Sequence, residues 1–348
     1  MSQAHSVPLS SKKDLGFVRG LLLALILAVL AQTAASLPLL RIMGPLVLAI
    51  LFGMAWRAVF GIPAGAAAGI GFSSKKLLRL GIILLGMRLS WPDMVQAGPK
   101  VFLLAAVCLV FALAAVYGLC RMLGIDRRLG LLTACGTAIC GAAAVVAIAP
   151  QVKAGDEETA VSAAIVALLG TAFTLSYTLL MPFVGLSSPG YGAWSGATLH
   201  EIAHVLAAAA PGGQEALRIA LLVKLSRVAL LVPVAVAAGW WTAREERKLT
   251  GQQESPGRSW RQLPIPWFIF GFLLVSGIHS LGILPAPAVE GTVTLSYTLL
   301  AMAMAGLGLN VDLGSFRRLG LKPLAAGLLG SMLLSGFGRI LVSWFGLN

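Results

Sequence analysis

Apolar residues fall along this chain in long unbroken runs, not in the alternating or 3.6-residue patterns of a soluble fold. Eleven runs are legible, at about residues 15–37, 44–61, 77–90, 99–120, 130–150, 158–183, 192–210, 216–241, 265–284, 293–311 and 321–346. Most reach the ~20 residues an α-helix needs to cross the hydrocarbon of a bilayer, and the run at 77–90 is short. In hydrocarbon each backbone N–H and C=O needs a partner within the protein, so runs of this length predict helices. The polar connections are short, except for 244–264, which reads REERKLTGQQESPGRSWRQLP. The pattern predicts an all-α polytopic membrane protein with about eleven transmembrane helices. Residues 1–348 form one transmembrane domain, with 1–14 as a cytoplasmic tail and 244–264 as a cytoplasmic loop.

Composition sharpens this picture. The chain is 58% hydrophobic and 11% charged, with a mean hydropathy of +0.90, whereas a soluble domain carries about 25% charged residues. The net charge of +13 would suggest nucleic acid in a soluble protein. Here most Lys and Arg gather on one side of the predicted spans, in clusters such as Lys75–Lys76–Arg79, Arg127–Arg128, Arg244–Arg247–Lys248 and Arg317–Arg318. Arg41, Arg88, Lys100 and Lys153 fall on the other side. Basic loops stay in the cytoplasm, so the asymmetry predicts a bacterial inner-membrane protein with a cytoplasmic N-terminus. An odd number of spans puts the C-terminus in the periplasm. No nucleic acid is then needed to explain the charge. The N-terminus is also shaped like a signal peptide, and we read it as an uncleaved first span. Cys108, Cys120, Cys135 and Cys140 lie inside runs and imply no disulfide framework. No segment is long and polar enough for a separate catalytic domain, so an enzyme is not expected.

Polar residues inside the runs carry the candidate chemistry. Lys224 and Arg227 interrupt ALRIALLVKLSRVALLVPVAVAAGWW, three positions apart and therefore on one helical face. Cations at that depth face a protein interior or a wet cavity and have a partner. The partner is either an anionic substrate or Glu201. The fifth run reads LTACGTAICGAAAVVAIAPQVKA, with Thr133, Cys135, Gly136, Thr137, Cys140 and Gly141 in one cluster. Two glycines among polar residues mark either close helix packing or a discontinuous helix whose freed backbone groups hold a ligand. The seventh run contains HEIAH, His200 to His204. On one helical face this is a zinc-protease pattern, with Glu as base. As an intramembrane cluster, His200, Glu201 and His204 are a proton relay or the structural partners of the cations. Leu84–Met94 (LLGMRLSWPDM) and Gly306–Phe316 (GLGLNVDLGSF) look like copies of opposite direction, as in an inverted-repeat transporter. Asn310 in the second copy offers a neutral polar contact. Arg88 in the first snorkels at the outer surface or, as the less favoured alternative, faces the cavity. The heptad TLSYTLL at Thr174–Leu180 recurs at Thr294–Leu300.

CGTAICGAAAVVA resembles the signature of the YeiH-type sulfate exporter family, which reads CGTSICG followed by small residues. RLGIILLGMRLS from Arg79, TLHEIAHV from Thr198, VKLSRV from Val223 and MAMAGLGLNVDL from Met302 resemble further blocks of that family in the same order. Ala138 stands where the family has Ser. The resemblance covers nearly the whole chain. It implies an inner-membrane transporter of ten or eleven spans for an anion, sulfate or another sulfur-containing one.

Together these readings predict an anion exporter with no cofactor and no bound metal. Substrate is expected against Thr133, Cys135, Gly136, Thr137, Cys140, Gly141, Lys224, Arg227 and Asn310, with His200, Glu201 and His204 coupling transport to H+ or Na+. Membrane lipid surrounds the protein, and a homo-oligomer is compatible with the pattern. The rival readings are an intramembrane zinc protease built on HEIAH and an anion channel.

Overall fold

A computed structural model describes residues 9–37, 40, 44–96, 98–250, 267–310 and 313–347. The described residues are helical throughout, with no strand. In chain order the helices are α1 (Leu9–Ala34), α2 (Pro45–Phe60), α3 (Ala67–Phe72), α4 (Leu78–Leu85), α5 (Trp91–Gln96), α6 (Gly98–Met122), α7 (Arg127–Ala138) and α8 (Ala142–Ile148). They continue as α9 (Asp156–Val184), α10 (Ser188–Thr198), α11 (Ile202–Ala209), α12 (Gly213–Ala229), α13 (Leu231–Thr250), α14 (Trp267–Ser280), α15 (Ala286–Asn310) and α16 (Leu313–Trp344). A π-helical turn, Ser73–Leu77, joins α3 to α4. The first part of the expected loop at 244–264 continues α13 to Thr250, and Leu9 to Asp14 of the expected tail belong to α1. The rest of that loop lies outside the described residues.

Among the described residues six stretches are long and apolar enough to cross a membrane: Leu15–Ala34, Gly98–Met122, Asp156–Val184, Ile202–Glu245, Ala286–Asn310 and Arg318–Trp344. Leu48–Phe60 and Phe270–Ser280 are shorter apolar helices. Two of the eleven predicted spans are each broken into a pair of shorter helices. Residues 130–150 fold as a hairpin of α7 and α8: a Cβ on Gly136 would touch Val145 at 2.6 Å, and Leu131 and Val152 line one crevice with Arg127. Residues 192–210 fold as a second hairpin of α10 and α11. Its limbs are joined by the Tyr191 hydroxyl, which donates to the Ala208 carbonyl (3.0 Å), and by Ser188, which donates to Gly212 (2.6 Å). Run length misled here because a helix–turn–helix hairpin and a spanning helix contain similar numbers of apolar residues.

The hairpins point in opposite directions. The open end of the first holds Arg127, which is ion-paired to Glu245 of α13 and lies over the Trp241 ring. After it the chain enters α9, whose first residues meet the basic clusters: Asp156 is 3.6 Å from Lys75, and Glu157 is 3.7 Å from Arg318. This is the basic end of the molecule, and Lys153 belongs to it rather than to the other side. Helix α9 runs 29 residues, ~43 Å at 1.5 Å per residue, to the opposite end. There the Val184 carbonyl accepts from Arg339 (3.1 Å) and the second hairpin begins.

Local sequence explains the helix ends. The Asp126 carboxylate accepts from the Arg128 N–H at the start of α7, and Glu158 accepts from the Gly155 N–H at the start of α9. Asp156, Glu157 and Glu158 complement the positive end of the α9 dipole. The Ser187 hydroxyl caps α10 by accepting from Gly190. Around the hairpins, α2 packs closely on α15, where a Cβ on Gly308 would lie 2.2 Å from the Ile50 carbonyl oxygen. Helix α15 is antiparallel to α3–α4: Ser73 donates to Met302 and Ser296 to Gly81. The architecture that opposes itself plainly is the pair of hairpins.

Candidate functional site

Each hairpin limb that leads inward is about half a membrane long. Helix α7 has 12 residues and α10 has 11, ~18 and ~17 Å, so the two tips meet near the middle of a ~30 Å core. The first tip is Ile139–Gly141. Ile139 leaves the helical region (φ −111°, ψ −85°), and Gly141 has φ +74°, which favours glycine. The second tip is Leu199–Glu201, with Leu199 and Glu201 extended. The tips touch: the Ala142 N–H donates to Glu201 Oε1 at 3.0 Å, and a Cβ on Gly141 would lie 2.2 Å from Glu201 Cγ.

Ending two helices at mid-depth frees carbonyls that have no water to bond. Lys224 and Arg227 supply the missing donors. Lys224 Nζ donates to the carbonyls of Ile139 (2.8 Å), Leu199 (2.8 Å) and His200 (2.5 Å). Arg227 Nε donates to Ala138 (2.8 Å), Nη1 to Ala197 (2.7 Å) and Leu199 (3.1 Å), and Nη2 to Thr137 (2.9 Å) and Ala138 (2.5 Å). Both side chains are fully buried. Two positive charges therefore sit on the negative, C-terminal ends of α7 and α10. Lys224 and Arg227, expected to reach an anion, here have their donors on backbone carbonyls. Neither forms an ion pair with Glu201 among the described residues.

A cavity of about 250 Å³ lies on the other side of the tips. Arg88, Cys140, Ala143, Glu201, Ile202, Ala203 and Tyr297 line it, with Gly44, Pro45, Leu46, Leu85, Leu206, Val228 and Leu300. It occupies the half of the molecule away from the basic end, near the last turn of α4 and the first turn of α2. The first N–H groups of α11 have no acceptor within their own helix, and Ile202 and Ala203 border this space. Arg88 points its guanidinium at Tyr297, with Nη2 3.5 Å from the hydroxyl and the guanidinium carbon 5.6 Å from the ring centre. Arg88 Nε is buried without a hydrogen-bond partner. Among the described residues Arg88 is in no ion pair.

Of the residues singled out by sequence, Cys140 and Glu201 line the cavity. The others go elsewhere. Thr133 donates to the Leu129 carbonyl in its own helix (2.8 Å). Cys135 is buried in the core. Gly136 gives room to Val145 and Val166, and Gly141 to Glu201. Thr137 offers its carbonyl to Arg227, while its hydroxyl is buried without a partner. Asn310 is at the basic end, 3.5 Å from Asp156. HEIAH is not one helix. His200 belongs to the extended tip and is 3.1 Å from the Ser331 hydroxyl, whereas His204 on α11 is 3.5 Å from Thr171. The shared helical face that the zinc pattern requires is absent, because α11 begins at Ile202. Tyr297 and the apolar wall were missed by sequence reading. The one available signal was the second TLSYTLL heptad, which carries Tyr297. The first heptad carries Tyr177, which bonds Thr198 beside the second tip (2.6 Å).

The fold and its buried polar junction define an all-helical, multi-pass membrane protein with two opposed helical hairpins. The chain belongs to the family described as conserved hypothetical protein 698, whose model matches residues 19–327. A UPF0324 membrane protein of Bacillus cereus is 59% identical over 97% of this chain and 94% of its own length. One from Listeria monocytogenes is 52% identical over 94% of this chain and 96% of its own. One from Staphylococcus aureus is 38% identical over 97% and 99%. No solved structure matches the chain.

Proposed function

We propose that the protein is a secondary transporter of the bacterial cytoplasmic membrane that moves a small anion, outward as the sequence resemblance implies, by alternating access at the junction of the two hairpins. One observation carries this reading. Arg88, a cation outside any ion pair among the described residues, lines a mid-membrane cavity that also borders the start of α11. A guanidinium and free helix N-terminal N–H groups favour an anion. Opposed hairpins give each side of the membrane its own barrier, which suits a carrier better than an open channel. Glu201 lines the same cavity, so a proton or Na+ on its carboxylate would relieve its repulsion of the anion and couple the two fluxes. In this reading the basic end is cytoplasmic. Nine crossings and two hairpins replace eleven crossings, the N-terminus stays inside and the C-terminus outside.

The test is counterflow in proteoliposomes, using anions chosen by a thermal-shift screen of sulfate, sulfite, alkanesulfonates and carboxylates. Vesicles preloaded with unlabelled anion should transiently accumulate the labelled one, and Arg88→Gln should abolish this while the protein remains monodisperse. Ion conductance without counterflow, or undiminished counterflow by Arg88→Gln, would overturn the proposal.

A further inference from the structure

The cavity that is read above as the anion site has walls that bear on what the anion is. Pro45, Leu46, Leu85, Ile202, Leu206 and Leu300 bring hydrocarbon to it. Its polar supply is small: Arg88, the Tyr297 hydroxyl, the first N–H groups of α11 and the Glu201 carboxylate, which donates only when protonated. The strongest nearby donors, Lys224 and Arg227, are used on the Ile139, Leu199, His200, Ala138 and Ala197 carbonyls. An inorganic oxyanion such as sulfate exposes oxygen in every direction. Each oxygen that leaves water needs a donor, and an apolar wall gives none. A volume of about 250 Å³ is room for roughly eight waters at ~30 Å³ each, well beyond a five-atom ion. Sites of this make-up hold ligands by an apolar body and orient them by a few polar groups.

We infer that the cavity takes a small organic monoanion with an apolar body, its charged head on Arg88 and its chain against the leucine and proline wall, in preference to sulfate. The inference rests on the proposed anion site and narrows its substrate. Carboxylate and sulfonate heads share the required chemistry, and the probe series includes both. Tyr297 has two parts in this arrangement: its ring face steadies the guanidinium, and its hydroxyl is a further donor to the head group.

The experiment is competition binding to purified protein in nanodiscs. The probes are sulfate, methane-, ethane-, propane- and butanesulfonate, and the matching alkanoates. Burying a methylene is worth ~0.8 kcal/mol, so affinity should rise about fourfold per added carbon until the cavity is full, and propanesulfonate should displace sulfate. Ala203→Val narrows the cavity and should cut the gain beyond methanesulfonate. Arg88→Gln should weaken every probe. If Ala203→Val does not fold, Leu206→Phe repeats that arm. Sulfate binding as tightly as propanesulfonate, with a flat chain-length series, would overturn the inference and leave the anion site standing. Probe binding undiminished by Arg88→Gln, with the chain-length gain intact, would show partition into lipid only and also overturn it. Failure of every probe to bind the wild-type protein would remove the anion site itself.

Discussion

Replacing Lys224 by Met keeps the hydrocarbon stem and removes three donors. Leu199 would still receive an Arg227 N–H at 3.1 Å, but the Ile139 and His200 carbonyls would lose their Lys224 bonds. A buried acceptor stripped of its partner costs about 1–3 kcal/mol, so two cost roughly 2–6 kcal/mol. Removing the ammonium also removes its own desolvation penalty, which leaves a net loss of about 2–4 kcal/mol. At ~2–4 °C per kcal/mol for a large domain, the melting temperature should fall by roughly 5–15 °C. A thiol-reactive fluorogenic dye reads this directly, because Cys108, Cys120, Cys135 and Cys140 are all buried and free. Below the transition, the folded variant should bind anion within about twofold of the wild type. Arg88→Gln should behave in the opposite way, with unchanged melting and affinity reduced by one to two decades, the worth of a charge-assisted hydrogen bond (~1.5–3 kcal/mol). A Lys224→Met protein that melts like the wild type yet binds anion tenfold more weakly would refute the division of labour between the two kinds of cation.

Gly141→Ala places a Cβ on Glu201 Cγ at a residue with φ +74°, so it should lower both melting temperature and counterflow, whereas Gly185→Ala at the far end of α9 should lower only the former. A Cβ on Gly170 would lie 2.3 Å from the His204 ring. Gly170→Ala should therefore destabilise the protein, and adding His204→Ala should restore much of the loss; a double variant no better than Gly170→Ala would show that the ring is not the obstacle. In a background with the four cysteines replaced, Lys153→Cys and Glu245→Cys should react with an impermeant maleimide from the same face of the membrane, and Ser187→Cys from the other. Labelling of Lys153→Cys and Ser187→Cys from one face would rule out the two-hairpin arrangement.

The helical class, the membrane and the discontinuous fifth run were legible because hydrocarbon imposes them on composition and run length. The break itself was placed by the glycines to within a few residues. The hairpins were not legible as hairpins. Residues 130–150 contain enough apolar positions for one crossing, and it is the crevice shared by Leu131, Val152 and Arg127, with Gly136 against Val145, that brings both ends to one face. Lys153 close to Asp156 was a hint, since a basic residue there already departed from the expected asymmetry. The second break has no glycine at all. Leu199 and Glu201 adopt extended backbone on either side of His200, and the carbonyls and side chains of the three find partners in Lys224, Ser331 and Ala142. Such partners are distant in sequence, and no local pattern records them.

The same remoteness explains why two buried cations looked like a substrate site. Charge at mid-membrane signals an unmet electrostatic demand, but the sequence does not say whether a ligand or the protein's own backbone makes it. Here α7 and α10 both end against Arg227, whose donors reach Thr137, Ala138, Ala197 and Leu199. Two helix C-termini meeting in hydrocarbon would repel each other through their dipoles without a cation between them. Lys224 and Arg227 thus hold together a junction that the membrane would otherwise forbid. That junction in turn leaves the opposite, N-terminal side of the tips facing the cavity, where Arg88 has no such duty. Under the proposed transport reading, the cation that meets the substrate is therefore Arg88, which lines the cavity.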